Sequence, residues 1–263
     1  MPESSSPKYL FLSDVHLGGF SDKTNKEIEK SVIHLIDFCE ENDYRICILG
    51  DLFDYWMEYP NTVPELGKKL LDRFKTYNNS FLDTLYITGN HDNWTFGYFK
   101  SLGFDVEKNK RVLEIQGLKT LLMHGDGLDN PSMNLSRPPM HRLLRNATFV
   151  KLYQRIFPPK TGLWLMKRFS DFTRSTESRR LEQDRLNDWS KAHLQNSNID
   201  IIICGHDHSP RIKKFDFGTF INLGTFYKDR TVATYNKGQF NLVVWSDQSR
   251  ELNPFQISQQ TDE

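Results

Sequence analysis

The chain reads Tyr9-Leu10-Phe11-Leu12-Ser13-Asp14-Val15-His16 near its start, an apolar run followed closely by two potential metal ligands. Four further polar motifs follow apolar runs in the same way: Gly50-Asp51-Leu52-Phe53-Asp54, Gly89-Asn90-His91-Asp92, His124-Gly125-Asp126 and Gly205-His206-Asp207-His208. Continuous apolar runs of this length are typical of strands that are buried on both faces of a sheet. If the five strands lie side by side, the motifs meet at one edge, where α/β folds bind their ligands.

Together, the five motifs contain enough ligands for two metal ions. Four imidazoles, two carboxylates and one carboxamide come from Asp14, His16, Asp51, Asn90, His124, His206 and His208. Mixed ligation by His, Asp and Asn favours Mn²⁺ over Ca²⁺, with Fe or Zn²⁺ as alternatives. Two such ions hold a phosphate ester or anhydride and generate hydroxide near neutral pH. Asp51 is predicted to bridge the two ions.

The same motifs contain candidates for proton transfer. His91 is predicted to face the phosphate instead of the metals, and Asp54 is predicted to orient its ring. Asn90 is counted both as a metal ligand and as a catalytic group. Asp126 is predicted either to support the ligands or to cap a turn, and Asp92 to cap a helix.

Each motif taken alone also has a structural explanation. Asp-x-His occurs by chance, and Gly-Asp-x-x-Asp fits a turn with a helix cap. Five such motifs in order, each after an apolar run, instead favour one joint metal site.

The composition is that of an ordinary globular protein. The chain has 263 residues, and Lys and Arg equal Asp and Glu at 34 each. Global charge therefore gives no indication of a nucleic-acid binder. The three cysteines match no metal-binding spacing, which favours a reducing compartment. Because we find no signal peptide and no long apolar run, we expect a cytoplasmic protein, with the inner-membrane surface as an alternative site.

One long segment, residues 127–198, differs from the rest of the chain. It contains 13 Lys and Arg against 6 Asp and Glu, a net charge of +7, and the remainder of the chain carries −7. Its composition predicts helices, and it separates motifs that must meet. We therefore predict a helical cap over 127–198, inserted into a core formed by 1–126 and 199–263.

The apolar spacing also predicts elements between the motifs. Helices are expected over about 25–42 and 65–74, and a hairpin over 111–124. After the last motif, short strand patterns at 219–223, 231–235 and 242–245 predict a second, more antiparallel region that closes the core.

The motifs over residues 14–208 resemble the full signature of the calcineurin-like metallophosphoesterases. The resemblance implies a four-layer α/β/β/α sandwich with a dinuclear metal centre. It implies that one metal is held by Asp14, His16, Asp51 and His208. It implies that the other is held by Asp51, Asn90, His124 and His206. It further implies that His91 and Asp54 form a catalytic dyad.

Within that superfamily, the sequence is most similar to the UDP-2,3-diacylglucosamine hydrolases of lipid A synthesis. The similarity lies in residues 13–17 and 50–56, in the long basic insertion and in the closing residues 222–224. The chain departs from that group at His91, where Arg is frequent, and at Asp54, where Glu is frequent. The resemblance implies cleavage of a pyrophosphate, which gives UMP and 2,3-diacylglucosamine 1-phosphate.

The predicted partner is thus a nucleotide-linked glycolipid. Arg145, Trp164 and Phe169 are predicted to bind it, with the aromatic rings lining an acyl groove or resting on a bilayer. Alternatively, these rings pack the cap onto the core. No nucleic acid is expected, because no basic stripe is interleaved with aromatic residues. Two other functions stay open: phosphoesterase action on a phosphodiester, nucleic acid or phosphoprotein, and a non-catalytic scaffold, which would lack ligands.

Overall fold

The computed structural model describes residues 7–176 and 179–256; for residues 169, 171–176, 179 and 180 it describes the backbone only. Within these limits the helices are α1 (Asp22–Glu41), α2 (Lys68–Ser80), α3 (Tyr98–Ser101), α4 (Pro139–Leu144), α5 (Ala147–Ile156), α6 (Pro159–Thr176), α7 (Arg179–Gln195) and α8 (Phe226–Asp229). The strands are β1 (Lys8–Leu12), β2 (Tyr44–Leu49), β3 (Leu85–Ile87), β4 (Asp105–Glu107), β5 (Lys110–Ile115), β6 (Leu118–Met123), β7 (Ile201–Cys204), β8 (Arg211–Phe215), β9 (Gly218–Asn222), β10 (Thr231–Asn236), β11 (Gln239–Ser246) and β12 (Glu251–Pro254).

The strands form two sheets, not the single row expected from the motifs. A seven-stranded sheet has the order β12-β11-β10-β1-β2-β3-β4, and a five-stranded sheet has the order β5-β6-β7-β9-β8. The strands before the first three motifs lie in the first sheet, and those before the last two lie in the second. The motifs therefore meet where two sheet edges face each other.

The layers confirm the predicted α/β/β/α sandwich. Helices α1 and α2 cover the outer face of the first sheet, where Val32, Leu35 and Phe74 are buried. A second apolar cluster, which includes Leu49 and Ile203, fills the space between the sheets. Helix α7 covers the outer face of the second sheet through Leu186 and other buried residues. Burying such a side chain contributes about 1.5–3 kcal/mol, so these three clusters dominate the stability of the fold.

Helix boundaries follow local chemistry. The side chain of Ser21 accepts a hydrogen bond from the Thr24 N–H and begins α1 close to its predicted start. Helix α2 begins at Lys68 instead of the predicted residue 65, because Gly67 before it has φ 62°, in the left-handed region. The helix then continues to Ser80, since the buried Asn78 bonds to the carbonyl of Leu102 and to the N–H of Thr84.

The late strands do not form one closing region. Strand β9 lies parallel to β7 in the second sheet, whereas β10 and β11 lie antiparallel in the first sheet. Strands β4, β8 and β12 were not predicted, because they span only three to five residues and contain no continuous apolar run.

The predicted cap region is helical, but its boundary differs from the prediction. Residues 127–198 contain a short 3-10 helix (Pro131–Met133) and helices α4 to α7. Helix α7 belongs to the core, because Leu186, Trp189 and Leu194 pack against the second sheet. Helices α4 to α6 instead pack beside the motifs, through a cluster that includes Leu144 and Trp94. We use "cap helices" below for α4, α5 and α6. No helix among the described residues is long and apolar enough to cross a membrane.

Candidate metal centre

The predicted ligands lie on loops with an unusual backbone. Five of the seven have positive φ: Asp14 at 51°, His16 at 49°, Asp51 at 54°, His206 at 75° and His208 at 60°. Only a few per cent of non-glycine residues adopt this conformation, and Asp and His are among the types that adopt it most readily. Such residues cluster at functional sites, where the surrounding structure holds them in place.

Two glycines permit the loops to approach each other. A Cβ atom on Gly89 would lie 2.0 Å from Asp51 Oδ1, and one on Gly205 would lie 2.1 Å from Asp14 Oδ2. Neither distance is possible for a real side chain. The glycines before Asn90 and His206 are therefore required for the carboxylates to reach the centre.

One group of ligand atoms is formed by Asp14, His16 and His208, which lie within 4.8 Å of one another. His208 Nε2 lies 3.2 Å from Asp14 Oδ1 and 3.2 Å from His16 Nε2. Asp14 Oδ1 is buried, and no donor among the described residues is aligned to hydrogen-bond it. A buried carboxylate oxygen without a hydrogen bond is costly, which indicates a ligand at this position.

A second group surrounds Asp51. His124 Nε2 lies 3.3 Å from Asp51 Oδ2 and 2.9 Å from Asn90 Oδ1. His124 Nδ1 lies 2.8 Å from the carbonyl oxygen of Leu49, to which it donates because a carbonyl can only accept. This fixes the tautomer that leaves Nε2 free to ligate. Asp51 Oδ2 also lies 3.8 Å from His16 Nε2, so Asp51 stands between the two groups.

His206 lies beside His124 and Glu182, and its Nε2 is 4.0 Å from the Glu182 carboxylate. Its ring centroid is 5.1 Å from that of His124, and its backbone N–H donates to Asp14 Oδ2 at 3.0 Å. Burial, together with the charge of His124, lowers the pKa of His206 to about 3. The ring is therefore neutral, as a metal ligand must be.

The charges of the cluster fit divalent cations. Burial alone would raise the pKa of Asp14, but the imidazoles of His16 and His208 beside its carboxylate hold that pKa well below its usual value. Burial likewise would raise the pKa of Asp51, and the charge of His124 outweighs it and lowers that pKa. Burial alone would lower the pKa of His16 and His124, yet the neighbouring carboxylates raise both to about 10. A divalent ion bound at these residues would therefore displace protons from both imidazoles.

Asp54 and His91 are arranged differently from the predicted dyad. The carboxylate of Asp54 lies 3.2 Å from His16 Nδ1 and accepts a hydrogen bond from Ser170 Oγ at 2.9 Å. His91 Nδ1 instead lies 2.8 Å from the carbonyl oxygen of Asp54 and 3.0 Å from Ser170 Oγ. Asp54 thus orients His16 with its carboxylate and His91 with its backbone. A ring nitrogen of His91 lies within 4.8 Å of ligand atoms on His16 and Asp51.

Asp92 does not cap a helix. Its buried carboxylate accepts hydrogen bonds from the N–H groups of Leu52 and Gly89 and from the hydroxyl of Tyr86. Burial and the nearby charge of Asp51 raise its pKa. Asp92 therefore ties together the loops that carry Asp51 and Asn90.

Arg145 hydrogen-bonds to other parts of the protein, whereas the sequence predicted that it binds the substrate. Its guanidinium donates to the carbonyl oxygens of Thr88 and Gly89 at 3.1 and 2.8 Å, and to that of Lys108 at 2.8 Å. It also donates to the buried carboxylate of Asp126 at 3.2 Å. The charges of Arg145 and Arg137 outweigh the effect of burial and hold the pKa of Asp126 well below its usual value. Arg145 therefore joins the cap helices to the loop before Asn90.

The two predicted aromatic contacts lie on α6. Trp164 is 53% exposed, and Arg168 lies over its ring at 5.1 Å from the centroid. Leu163 and Met166 face the other way and pack with the cluster around Trp94. The side chain of Phe169 lies outside the described residues. Trp164 is thus available to an outside partner, while its neighbours attach α6 to the core.

Three further residues of the centre were missed from the sequence. Ser170 of α6 bonds to Asp54, and the ring of Tyr227 packs edge-on against His16 with centroids 5.8 Å apart. The ring of His141, on α4, lies 6.1 Å from that of His206 between centroids. None of them lies in a recognisable motif, so only the three-dimensional structure brings them to the site.

The family described as calcineurin-like phosphoesterase matches residues 7–210. The protein belongs to the calcineurin-like phosphoesterases. It is therefore a metal-dependent hydrolase, and the family implies divalent metal ions at the cluster described above.

Two relatives found by sequence carry the same name. A UDP-2,3-diacylglucosamine hydrolase of Porphyromonas gingivalis is 29% identical over 219 residues, which cover 81% of each chain. A UDP-2,3-diacylglucosamine hydrolase of Vibrio parahaemolyticus is 23% identical over 248 residues, covering 89% of this phosphoesterase and 96% of the relative. Among solved structures, a phosphoesterase from E. coli is 15% identical with a TM-score of 0.46, covering 93% and 96% of the two chains.

Proposed function

We propose that this phosphoesterase hydrolyses the pyrophosphate bond of UDP-2,3-diacylglucosamine. Water attacks one phosphorus atom, the bond to the bridging oxygen breaks, and the products are UMP and 2,3-diacylglucosamine 1-phosphate. The arrangement that carries the chemistry is Asp51 between two groups of ligand atoms at the facing sheet edges. The names of the similar proteins support the choice of substrate.

The predicted ligands would hold two metal ions, and His91 would act on the substrate. The first ion would be held by Asp14, His16, Asp51 and His208, and the second by Asp51, Asn90, His124 and His206. Two divalent ions at these residues would activate the phosphoryl group and water. His91, held at Nδ1 by the carbonyl of Asp54, keeps Nε2 for a substrate oxygen and would donate a proton to the leaving group. We propose Mn²⁺ as the metal, because mixed imidazole and carboxylate ligands suit it.

The cap helices support a lipid-linked substrate. They expose several large apolar side chains, namely Met140, Leu143, Leu152, Ile156 and Trp164. The segment that contains them carries the +7 charge. Apolar side chains beside basic ones suit an anionic glycolipid and the surface of an anionic bilayer. We propose that the protein works in the cytoplasm, peripherally on the inner membrane.

The proposed substrate can be tested directly. Purified protein with Mn²⁺ and detergent should release UMP from UDP-2,3-diacylglucosamine, measured by chromatography. UDP-N-acetylglucosamine serves as the matched control, since it keeps the nucleotide and pyrophosphate but has no acyl chains. Turnover of simple phosphodiesters or DNA while the glycolipid stays inert would contradict the substrate and leave the phosphoesterase chemistry standing.

Trp164 is expected to contribute to binding of the lipid part of the substrate and not to hydrolysis of the phosphate bond. Trp164→Ser should raise KM for the glycolipid about tenfold, because an exposed aromatic side chain of this size contributes about 1–2 kcal/mol when an acyl chain covers it. Hydrolysis of a small chromogenic phosphodiester should be unchanged. Phe169→Ser tests the second position predicted from the sequence.

The matched control is Val112→Ser, which replaces an exposed apolar residue on β5, outside the cap helices. It should leave both activities unchanged. An equal fall of both activities in Trp164→Ser would show that Trp164 supports the fold, and the proposed acyl contact would be wrong.

A further inference from the structure

His141 lies beside the candidate metal centre although it belongs to no phosphoesterase motif. It is on α4, the first of the cap helices, and its side chain is 16% exposed. Its ring packs edge-on against that of the predicted ligand His206, with the centroids 6.1 Å apart. The charges of His91 and Asp51 also act on it. The cap therefore supplies an imidazole beside ligands that come from both sheets.

The two ring nitrogens of His141 have different surroundings. Nδ1 is buried and faces the carboxylate of Asp126 at 4.0 Å, too far for a hydrogen bond. Nε2 accepts and donates no hydrogen bond within the described part of the chain, and it is not among the buried unpartnered atoms. Nε2 is therefore accessible to solvent.

A purely structural role does not explain this placement. Buried polar atoms are normally hydrogen-bonded, and Arg145 and Arg137 already bond to the Asp126 carboxylate beside Nδ1. An apolar side chain would fill the same space on α4 without leaving a ring nitrogen unpartnered. In the tautomer that carries its proton on Nε2, His141 instead presents an accessible N–H donor close to a phosphate site.

We propose that His141 is a further catalytic residue, whose Nε2 hydrogen-bonds a non-bridging oxygen of the phosphate group bound at the metal centre. This rests on the proposed phosphoester hydrolysis, but not on the lipid substrate. The hydrogen bond ties α4 to the bound phosphate, so the cap helices contribute to recognition of the reacting group as well as of the remaining substrate.

The test compares His141→Ala with His141→Gln in the Mn²⁺-loaded protein. Inorganic phosphate binding is measured by calorimetry, and hydrolysis of bis(p-nitrophenyl) phosphate by absorbance. His141→Ala should weaken phosphate binding and raise KM by about tenfold to a hundredfold, the usual effect of losing a hydrogen bond to a charged group. His141→Gln, which keeps an N–H donor at similar reach, should recover part of the loss. Manganese content and melting temperature should stay at the wild-type values in both variants.

The matched control is His193→Gln on α7, whose ring stacks on Trp189 outside the metal centre. It should leave phosphate binding and KM unchanged. Wild-type values in His141→Ala would overturn the proposal. Loss of manganese or of melting temperature in both His141 variants would also overturn it, because the imidazole would then be structural. Since neither probe contains lipid, failure of the glycolipid assay does not affect this result.

Discussion

Replacing Asp51 with Asn is expected to reduce phosphoesterase activity to background and to lower the bound manganese below two ions per chain. Asp51 Oδ2 lies 3.3 Å from His124 Nε2 and 3.8 Å from His16 Nε2, so one carboxylate serves both groups of ligands. Two divalent ions held at these residues would repel each other, and the negative charge of Asp51 would offset that repulsion. Asn has nearly the same size, and its side-chain oxygen can still accept the hydrogen bond from the backbone N–H of His91. It removes only the negative charge.

The measurements are metal analysis after gel filtration and hydrolysis of a chromogenic phosphodiester. Asp83→Asn, at an exposed aspartate before β3, is the matched control and should keep both values. Two tightly bound ions and normal turnover in Asp51→Asn would exclude a bridging role for this carboxylate and with it the proposed centre.

Replacing His91 with Gln is expected to lower kcat by about 10²–10⁴, the usual contribution of a positioned proton donor, while both metal ions stay bound. The reason is its geometry: the carbonyl of Asp54 fixes Nδ1, which leaves Nε2 for the reacting oxygen. Steady-state kinetics and metal analysis on the same preparation separate the two effects.

Ser170→Ala is compared with His91→Gln, because it removes only one of the two contacts at His91 Nδ1. The hydroxyl of Ser170 lies 3.0 Å from His91 Nδ1, but the Asp54 carbonyl still holds the ring when Ser170 is changed. Its loss in kcat should therefore be smaller than that of His91→Gln. If His91→Gln lost metal together with activity, His91 would be a ligand, which its distance from His16 and Asp51 also permits.

The strands could be predicted from the sequence because they depend on local pattern, and the structure brings several of the predicted ligands close together. An apolar run that ends in Gly and a polar motif predicts a buried strand with its functional residues at the carboxyl end. The structure contains a strand before each of the five motifs, at nearly the predicted bounds. The apolar pattern could not divide these strands between two sheets, because strands buried in one sheet or in two facing sheets have the same composition.

The contacts made by the cap could not be predicted, because they join residues far apart in the chain. Ser170 bonds to Asp54 across 116 positions, and Arg145 reaches Gly89 across 56. The Lys- and Arg-rich composition of residues 127–198 predicted a surface that binds an anionic substrate. In the structure, Arg145 of this segment instead hydrogen-bonds to the backbone carbonyls of Thr88 and Gly89. The carboxylate of Asp54 likewise contacts His16 instead of the predicted partner His91, whose Nδ1 is held by the backbone carbonyl of Asp54.

The left-handed backbone at five predicted ligands has a consequence for how this fold can change over evolutionary time. Holding Asp14, His16, Asp51, His206 and His208 in that conformation costs roughly 1 kcal/mol at each residue, and glycine would remove most of that cost. In a lineage released from selection for catalysis, replacing these ligands with glycine would relieve that conformational cost, so such substitutions would no longer be eliminated. A chain that keeps all seven predicted ligands keeps the conformational cost as well, which indicates selection for catalysis. This argues against a non-catalytic scaffold.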